Sequence, residues 1–207
     1  NFTSPAYTLR LNYNGVPGLR VGASFYYCAN TTANSDKLVE YSFRAPLRIY
    51  TVDAQYKNSV VTARANFMWG SLTNSDRVSS VNTKLSNQSP YTRVVPVAHK
   101  AVSYGAEVGL NLAGIFRGAN VPAIYPFARY DYYNPQKQCE GLYIEDHRCE
   151  VSKWTAGVNW YALPNLVIKA DYSTRQIGTS KMFGKGKYNS ENEFSIGVAY
   201  VGWFTKR

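Results

Sequence analysis

The sequence has no run of about 18 consecutive apolar residues, and that excludes membrane-crossing helices. It also shows no convincing helical period of any length, so helices are not expected to carry the fold. Histidine occurs only twice, as His99 and His147, in or beside loops and in no spacing that suggests a metal site or a nucleophile–base pair. The "EDHRCE" stretch offers Glu145, Asp146 and Glu150 to a cation, but a solvated acidic loop accounts for the same residues. "GKGK" (184–187) lacks the strand–loop–helix setting of a phosphate loop. No catalysis, cofactor or metal is therefore expected. Clustered basic charge is missing too. The net charge of +10 is spread at about one lysine or arginine per segment, whereas a nucleic-acid binder concentrates it on one face or helix. Nucleic acid is not an expected partner; anionic head groups or solutes fit the dispersion better.

Charged residues make up only 17% of the chain, while aromatics reach 15% with eighteen tyrosines. Such amphipathic rings suit places where one end is apolar and the other wet. A mean hydropathy of -0.33 is compatible with membrane-spanning strands, because those alternate apolar and polar residues. Cysteines number three. Cys139 and Cys149 bracket the polar "CEGLYIEDHRC" and read as a loop staple in an oxidising compartment, with two free thiols as the alternative; Cys28 has no evident partner in the sequence.

Period two dominates. Alternating segments run over 6–13, 19–28, 47–57, 60–70, 101–112, 124–134, 151–162, 166–177 and 192–204. Most are longer than the five or six residues usual in globular strands and match what a bilayer asks of a tilted strand. Tight turns "NGVPG" (14–18), "NS" (58–59) and "LPN" (163–165) alternate with long polar loops near 29–46, 71–99, 135–150 and 178–191, and the 113–123 link occupies a short-turn slot. Short turns on one side and long loops on the other are the asymmetry of outer-membrane barrels, the long loops being extracellular. The stretch "TRVVPVA" (92–98) is a weak candidate for a further strand.

Face assignment sharpens this. In 60–70, Val61, Ala63, Ala65, Phe67 and Trp69 oppose Thr62, Arg64, Asn66 and Met68; in 166–177, Leu166, Ile168, Ala170 and Tyr172 oppose Lys169, Asp171, Ser173 and Arg175. Aromatics on the apolar faces gather near segment ends, at Tyr7, Tyr13, Tyr27, Tyr56, Trp69, Tyr132, Trp154, Trp160 and Phe204, as two membrane–water belts would require. The charged faces must be wet, since a small soluble barrel cannot hide so many charges. By parity the inward basic residues are Arg10, Arg20, Lys57, Arg64, Arg129, Lys153, Lys169 and Arg175, and the inward acids Asp53, Glu107, Asp131 and Asp171, an excess of four positive charges. Such a wall biases a pore toward anions. Arg129 with Asp131 and Lys169 with Asp171 read either as lateral pairs that stiffen the wall or as part of an ion path. Arg10, Arg20 and Arg64 have no acid on their own strand and are the better ion-path candidates.

Residues 1–207 thus read as one all-β, up-and-down transmembrane β-barrel segment of nine strands. An odd count places "NFTSP" in an extracellular loop, so the expectation is the C-terminal portion of a larger barrel.

The stretches "PAYTLRLNYNGVPGLRVGASFYY", "YPFARYDYYNPQ", "KWTAGVNWYALPNLVIKADYSTRQIG" and "NSENEFSIGVAYVGWF" resemble the C-terminal half of Gram-negative outer-membrane porins, of the phosphate-selective porin-like family of Bacteroidota type. The resemblance implies a sixteen-stranded, trimeric barrel integral to the outer membrane, in contact with the lipid bilayer and lipopolysaccharide, passing small hydrophilic or anionic solutes by passive diffusion. Phosphate selectivity does not transfer, because no residue here matches that family's selectivity determinants one by one. The chain also departs from the family in its "TKR" ending and its cysteine loop. A barrel of identical sequence character could instead be a non-conducting structural or docking subunit of an envelope assembly. A lipocalin-like carrier, with its interior apolar and its exterior polar, is disfavoured by the aromatic belts.

Overall fold

The computed structural model describes residues 4–34, 43–85, 96–116, 123–163, 165–179 and 188–200. It contains one nine-stranded sheet in sequence order, every neighbour antiparallel. The strands are β1 (Ala6–Tyr13), β2 (Leu19–Cys28), β3 (Leu47–Lys57), β4 (Val61–Leu72), β5 (Lys100–Leu110), β6 (Ala123–Gln138), β7 (Val151–Leu163), β8 (Leu166–Gly178) and β9 (Tyr188–Tyr200). Eight of the nine reach eleven residues or come within one of it, enough for a tilted crossing. β1 and β9 are the two edges, so the described sheet is a meander that does not close on itself.

The nine expected segments are all present, three with the expected bounds and the others with shifts of up to four residues at an end. β6 and β9 move most: β6 ends at Gln138 rather than 134, and β9 begins at Tyr188 rather than 192. Phe204 and the rest of 201–207 lie outside the described residues, as do the first four residues of "TRVVPVA" (92–95). The absence of helix does not hold. α1 (Ser75–Leu85) sits in the third connection, and a single turn, α2 (Leu112–Ile115), follows β5. α1 has Asp76 in its first turn, favourable to the helix dipole, and turns Ser75, Val78 and Ser79 inward at helical spacing. Its polar composition hides that period from a search by hydrophobicity.

The tight turns follow from their residues. Gly18 takes φ +80, and a Cβ there would stand 2.2 Å from the Lys57 carbonyl oxygen, so only glycine fits. In the β3–β4 turn the Asn58 carboxamide oxygen accepts from the amides of Val60 and Val61 at 2.8 and 2.6 Å.

What passes for a hydrophobic core is not between the sheet and anything else. Phe43, Ala45, Val78 and Val81, backed by Leu72 and Val97, cluster among the long connections at one end. Hydrogen bonds tie those connections together. Asn30 Oδ1 accepts from the Thr32 hydroxyl at 2.7 Å, that hydroxyl also meets the Phe43 carbonyl at 2.7 Å, and Glu140 accepts the Ser75 amide at 2.6 Å. His99 lies 3.0 Å from the same Glu140 carboxylate. The described parts of the long connections are therefore packed against one another.

The sheet itself leaves large apolar side chains uncovered across its width. Leu11 is 66% exposed on β1, Val52 47% on β3, Trp154 59% on β7 and Ile196 69% on β9. A water-soluble monomer does not keep such a continuous face bare. Placing a charge in the middle of that face is accordingly expensive. Ile196→Arg is expected to destabilise the folded protein by ~2–4 kcal/mol in a bilayer, and Ser195→Arg on the opposite face by ~1 kcal/mol or less; reversible urea unfolding in vesicles, followed by tryptophan fluorescence, measures both.

Candidate functional site: the charged wall

Register decides which side chains share a face, and it brings all twelve expected pore-lining residues together. One row across the sheet reads Arg20, Gln55, Arg64, Glu107, Arg129, Thr155, Ser173, Glu193. The next reads Asn12, Gly22, Asp53, Asn66, Gly105, Asp131, Lys153, Arg175, Glu191. Arg10, Lys57, Lys169 and Asp171 have the same parity in their strands. The belt residues fall on the other face: Tyr7 pairs with Tyr27, Leu19 with Tyr56, Tyr130 with Trp154, and Ile168 with Trp160. Tyr7, Tyr27, Trp69, Tyr132 and Trp154 lie toward the long-loop end, Tyr13, Tyr56 and Trp160 toward the short turns. Rings stack along this face, as with Tyr104 and Tyr132, whose centroids are 4.8 Å apart.

Two wall residues escape a sequence reading that starts the last strand late. Glu191 and Glu193 of β9 face the wall and bond to it, Arg175 donating to Glu191 and Lys153 lying 3.5 Å from Glu193. They lie one and three places before Phe194, on the alternation opposite to it. The longer β6 also brings Lys137 onto this face, so nine basic residues then face six acids and the excess is three rather than four.

The ion pairs also redistribute the candidate path. Arg10 crosses over β2 to Asp53 on β3, Nη2 donating to Oδ2 at 3.0 Å, with further bonds to Ser24 and Asn12. That span is open because residue 22 is glycine: a Cβ there would stand 2.3 Å from the Arg10 guanidinium. Arg64 meets Glu107 at 2.5 Å. Arg10 and Arg64, which lack acids on their own strands, are therefore neutralised from neighbouring ones. Arg129 and Asp131 form the expected same-strand pair, bidentate at 2.6 and 2.9 Å. Lys169 and Asp171 form no ion pair among the described residues. A hollow of about 140 Å³ opens between Arg64, Asn66, Gly105, Glu107, Arg129 and Asp131.

Among the described residues, the wall cations left without a carboxylate partner are Arg20, Lys57, Lys137 and Lys169, all exposed. Three stand next to a short turn, Arg20 near the start of β2, Lys57 at the end of β3 and Lys169 near the start of β8, while Lys137 lies at the long-loop end of β6. Most of the unpaired positive charge is thus gathered at one end. At the other end the wall turns apolar, and Leu47, Ile49, Met68, Tyr133 and Pro135 line a hollow of about 350 Å³ under 97–99. Beyond it, in the 139–150 loop, Arg148 chelates Asp146 through hydrogen bonds and then charge, which raises the guanidinium above its ordinary pKa.

Residues 123–201 match the family model of the phosphate-selective porins O and P, a stretch that contains β6 to β9. No curated protein matches the chain. Two solved structures are similar at 14% identity: the TodX monoaromatic hydrocarbon channel deltaS2 mutant, with a TM-score of 0.39 over 97% of this chain, and the Pseudomonas putida toluene transporter TodX, with 0.34 over 93%. The chain spans 64% and 63% of their lengths. Likenesses this weak carry no argument about what passes through this chain. The family match bears out the porin resemblance over that segment, and with it an integral outer-membrane location.

The wall's pairs are wet, and wet pairs hold little stability. Arg10→Gln and Asp53→Asn are each expected to change unfolding free energy by about 1 kcal/mol or less. Gly22→Val, by displacing the guanidinium, should abolish any coupling between them in a double-mutant cycle of urea midpoints.

Proposed function

We propose that the protein forms a water-filled channel for passive diffusion of small hydrophilic solutes across the outer membrane, with a weak preference for anions. The carrying observation is the separation of faces: every charged residue of the two central rows lies on one side of nine strands, and uncovered aliphatic and aromatic side chains lie on the other. Lipid satisfies the apolar side and water the charged one. The edges of β1 and β9 carry backbone groups that lipid cannot satisfy, so further strands complete the barrel, and a sixteen-stranded, trimeric assembly is the form the resemblance favours.

The paired charges supply a hydrophilic lining with little net field, because each guanidinium is held against a carboxylate. Selectivity is then left to Arg20, Lys57 and Lys169 at the short-turn mouth, where three cations raise the local concentration of anions. In planar bilayers with a salt gradient, the protein should give stepwise conductance and a reversal potential of anion sign. Arg20→Gln/Lys57→Gln/Lys169→Gln should move that potential toward cations, and Arg129→Gln/Asp131→Asn should leave it nearly in place. Anion preference unchanged by the triple substitution would remove these residues from the path.

One observation favours a second reading, a barrel closed by a plug or docked partner. The apolar hollow at the long-loop end sits on the otherwise wet face, and water gains little by filling it. A demonstrably folded protein that never conducts would decide for that reading.

The staple between Cys139 and Cys149 is also proposed here. It would close the loop after β6 in the oxidising envelope. Alkylating the protein before and after reduction, then mapping peptides, should show a linked 139–149 pair and a Cys28 that reacts without reduction under denaturing conditions.

A further inference from the structure

We propose that the apolar face carries, at its long-loop rim, a binding site for the phosphate groups of an outer-leaflet glycolipid, formed by Arg48 and Lys100 with Tyr27 and Ser71; this rests on the outer-membrane reading. Among the described residues of the nine strands, Arg48 and Lys100 are the basic side chains whose register puts them on the apolar face. They belong to a single row, Arg48 beside Ser71 and Ser71 beside Lys100, so one strand separates them, or ~10 Å between backbones. Both stand at the long-loop ends of their strands, Arg48 second in β3 and Lys100 first in β5.

A cation on a lipid-facing surface is costly unless it reaches the head groups and a counter-charge. Neither residue has a carboxylate within ion-pair distance among the described residues. Glu150 lies toward the same rim further along, and accepts from the Tyr132 hydroxyl at 2.9 Å. Arg48 is instead held over the Tyr27 ring, 5.8 Å from its centroid, which orients the guanidinium while leaving its donor edge open. Ser71, buried between the two cations in the row, spaces them. The short-turn rim of the same face has Tyr13, Tyr56 and Trp160 and no basic side chain among the described residues. Cations at one rim and none at the other match a leaflet whose head groups carry phosphate in a fixed, dense array, as lipopolysaccharide does. Two donors about 10 Å apart suit a head group with two phosphates.

The test is native mass spectrometry of the folded, detergent-solubilised protein titrated with diphosphoryl lipid A. Wild type should retain lipid A and hold monophosphoryl lipid A more weakly. Arg48→Gln/Lys100→Gln should lose retention by about twentyfold, roughly fivefold for each charge near the surface. Arg48→Lys/Lys100→Arg should restore most of it, and Arg20→Gln on the opposite face should leave it unchanged. Equal retention in R48Q/K100Q would overturn the proposal. So would displacement of lipid A by millimolar inorganic phosphate, which would make this a free-anion site. Conductance recorded on the same preparations keeps the two readings apart. A conducting R48Q/K100Q that still holds lipid A sinks only the glycolipid site, and a silent wild type that holds lipid A sinks only the channel.

Discussion

The constraint on which everything else depends is that a backbone in hydrocarbon must satisfy its own hydrogen bonds while its side chains meet two solvents. A strand resolves both at once. Its ladder uses every amide and carbonyl between neighbours, and its period of two sends alternate side chains to lipid and to water. With nine antiparallel strands in sequence order, the described sheet leaves edge backbone groups to be satisfied at β1 and β9. Stability therefore needs no buried core between layers, and the described residues form none there. Its packed cluster of Phe43, Ala45, Val78 and Val81 sits among the long loops, where water is present and hydrophobic burial again drives folding.

The wet face answers a different demand. Charges on it are free to be hydrated, so ion pairs are not needed for stability, yet most of them form. Their effect is on the field rather than on the fold. Arg10 with Asp53, Arg64 with Glu107 and Arg175 with Glu191 join neighbouring or next-neighbouring strands and cancel locally. What remains uncancelled lies beside the short turns at Arg20, Lys57 and Lys169, and near the long loops at Lys137. The chain's net charge of +10 is a poor guide to this pattern, since the wall's own excess is only three.

Glycine has a part in this arrangement that is steric rather than conformational. At Gly22 the missing side chain lets Arg10 lie across β2, and at Gly105 a Cβ would stand 2.8 Å from the Asp131 carboxylate. Small residues in the wall thus decide which charges can reach one another. The same rows, continued to the opposite face, place Arg48 and Lys100 among tyrosines at the long-loop rim.

The strands and their two faces were legible in the sequence, because period-two alternation is a local property. Segments 6–13, 19–28 and 47–57 coincide with β1, β2 and β3 to the residue. The twelve wall residues follow from the same parity. Helix α1 was not legible, because its buried face is built from serines as well as valines and stands out only once it packs on Phe43 and Ala45. Glu191 and Glu193 were missed because polar strand ends on a wet face look like loop. The pairing of charges is beyond any single strand's sequence. It depends on register, and a register is fixed only when two strands meet: Arg64 faces Glu107 from 43 residues away, and Arg10 reaches Asp53 across an intervening strand. The sequence by itself determined which side chains see water. Only the tertiary structure decided which of their charges remain unpaired, because cancellation is a matter of distances between strands.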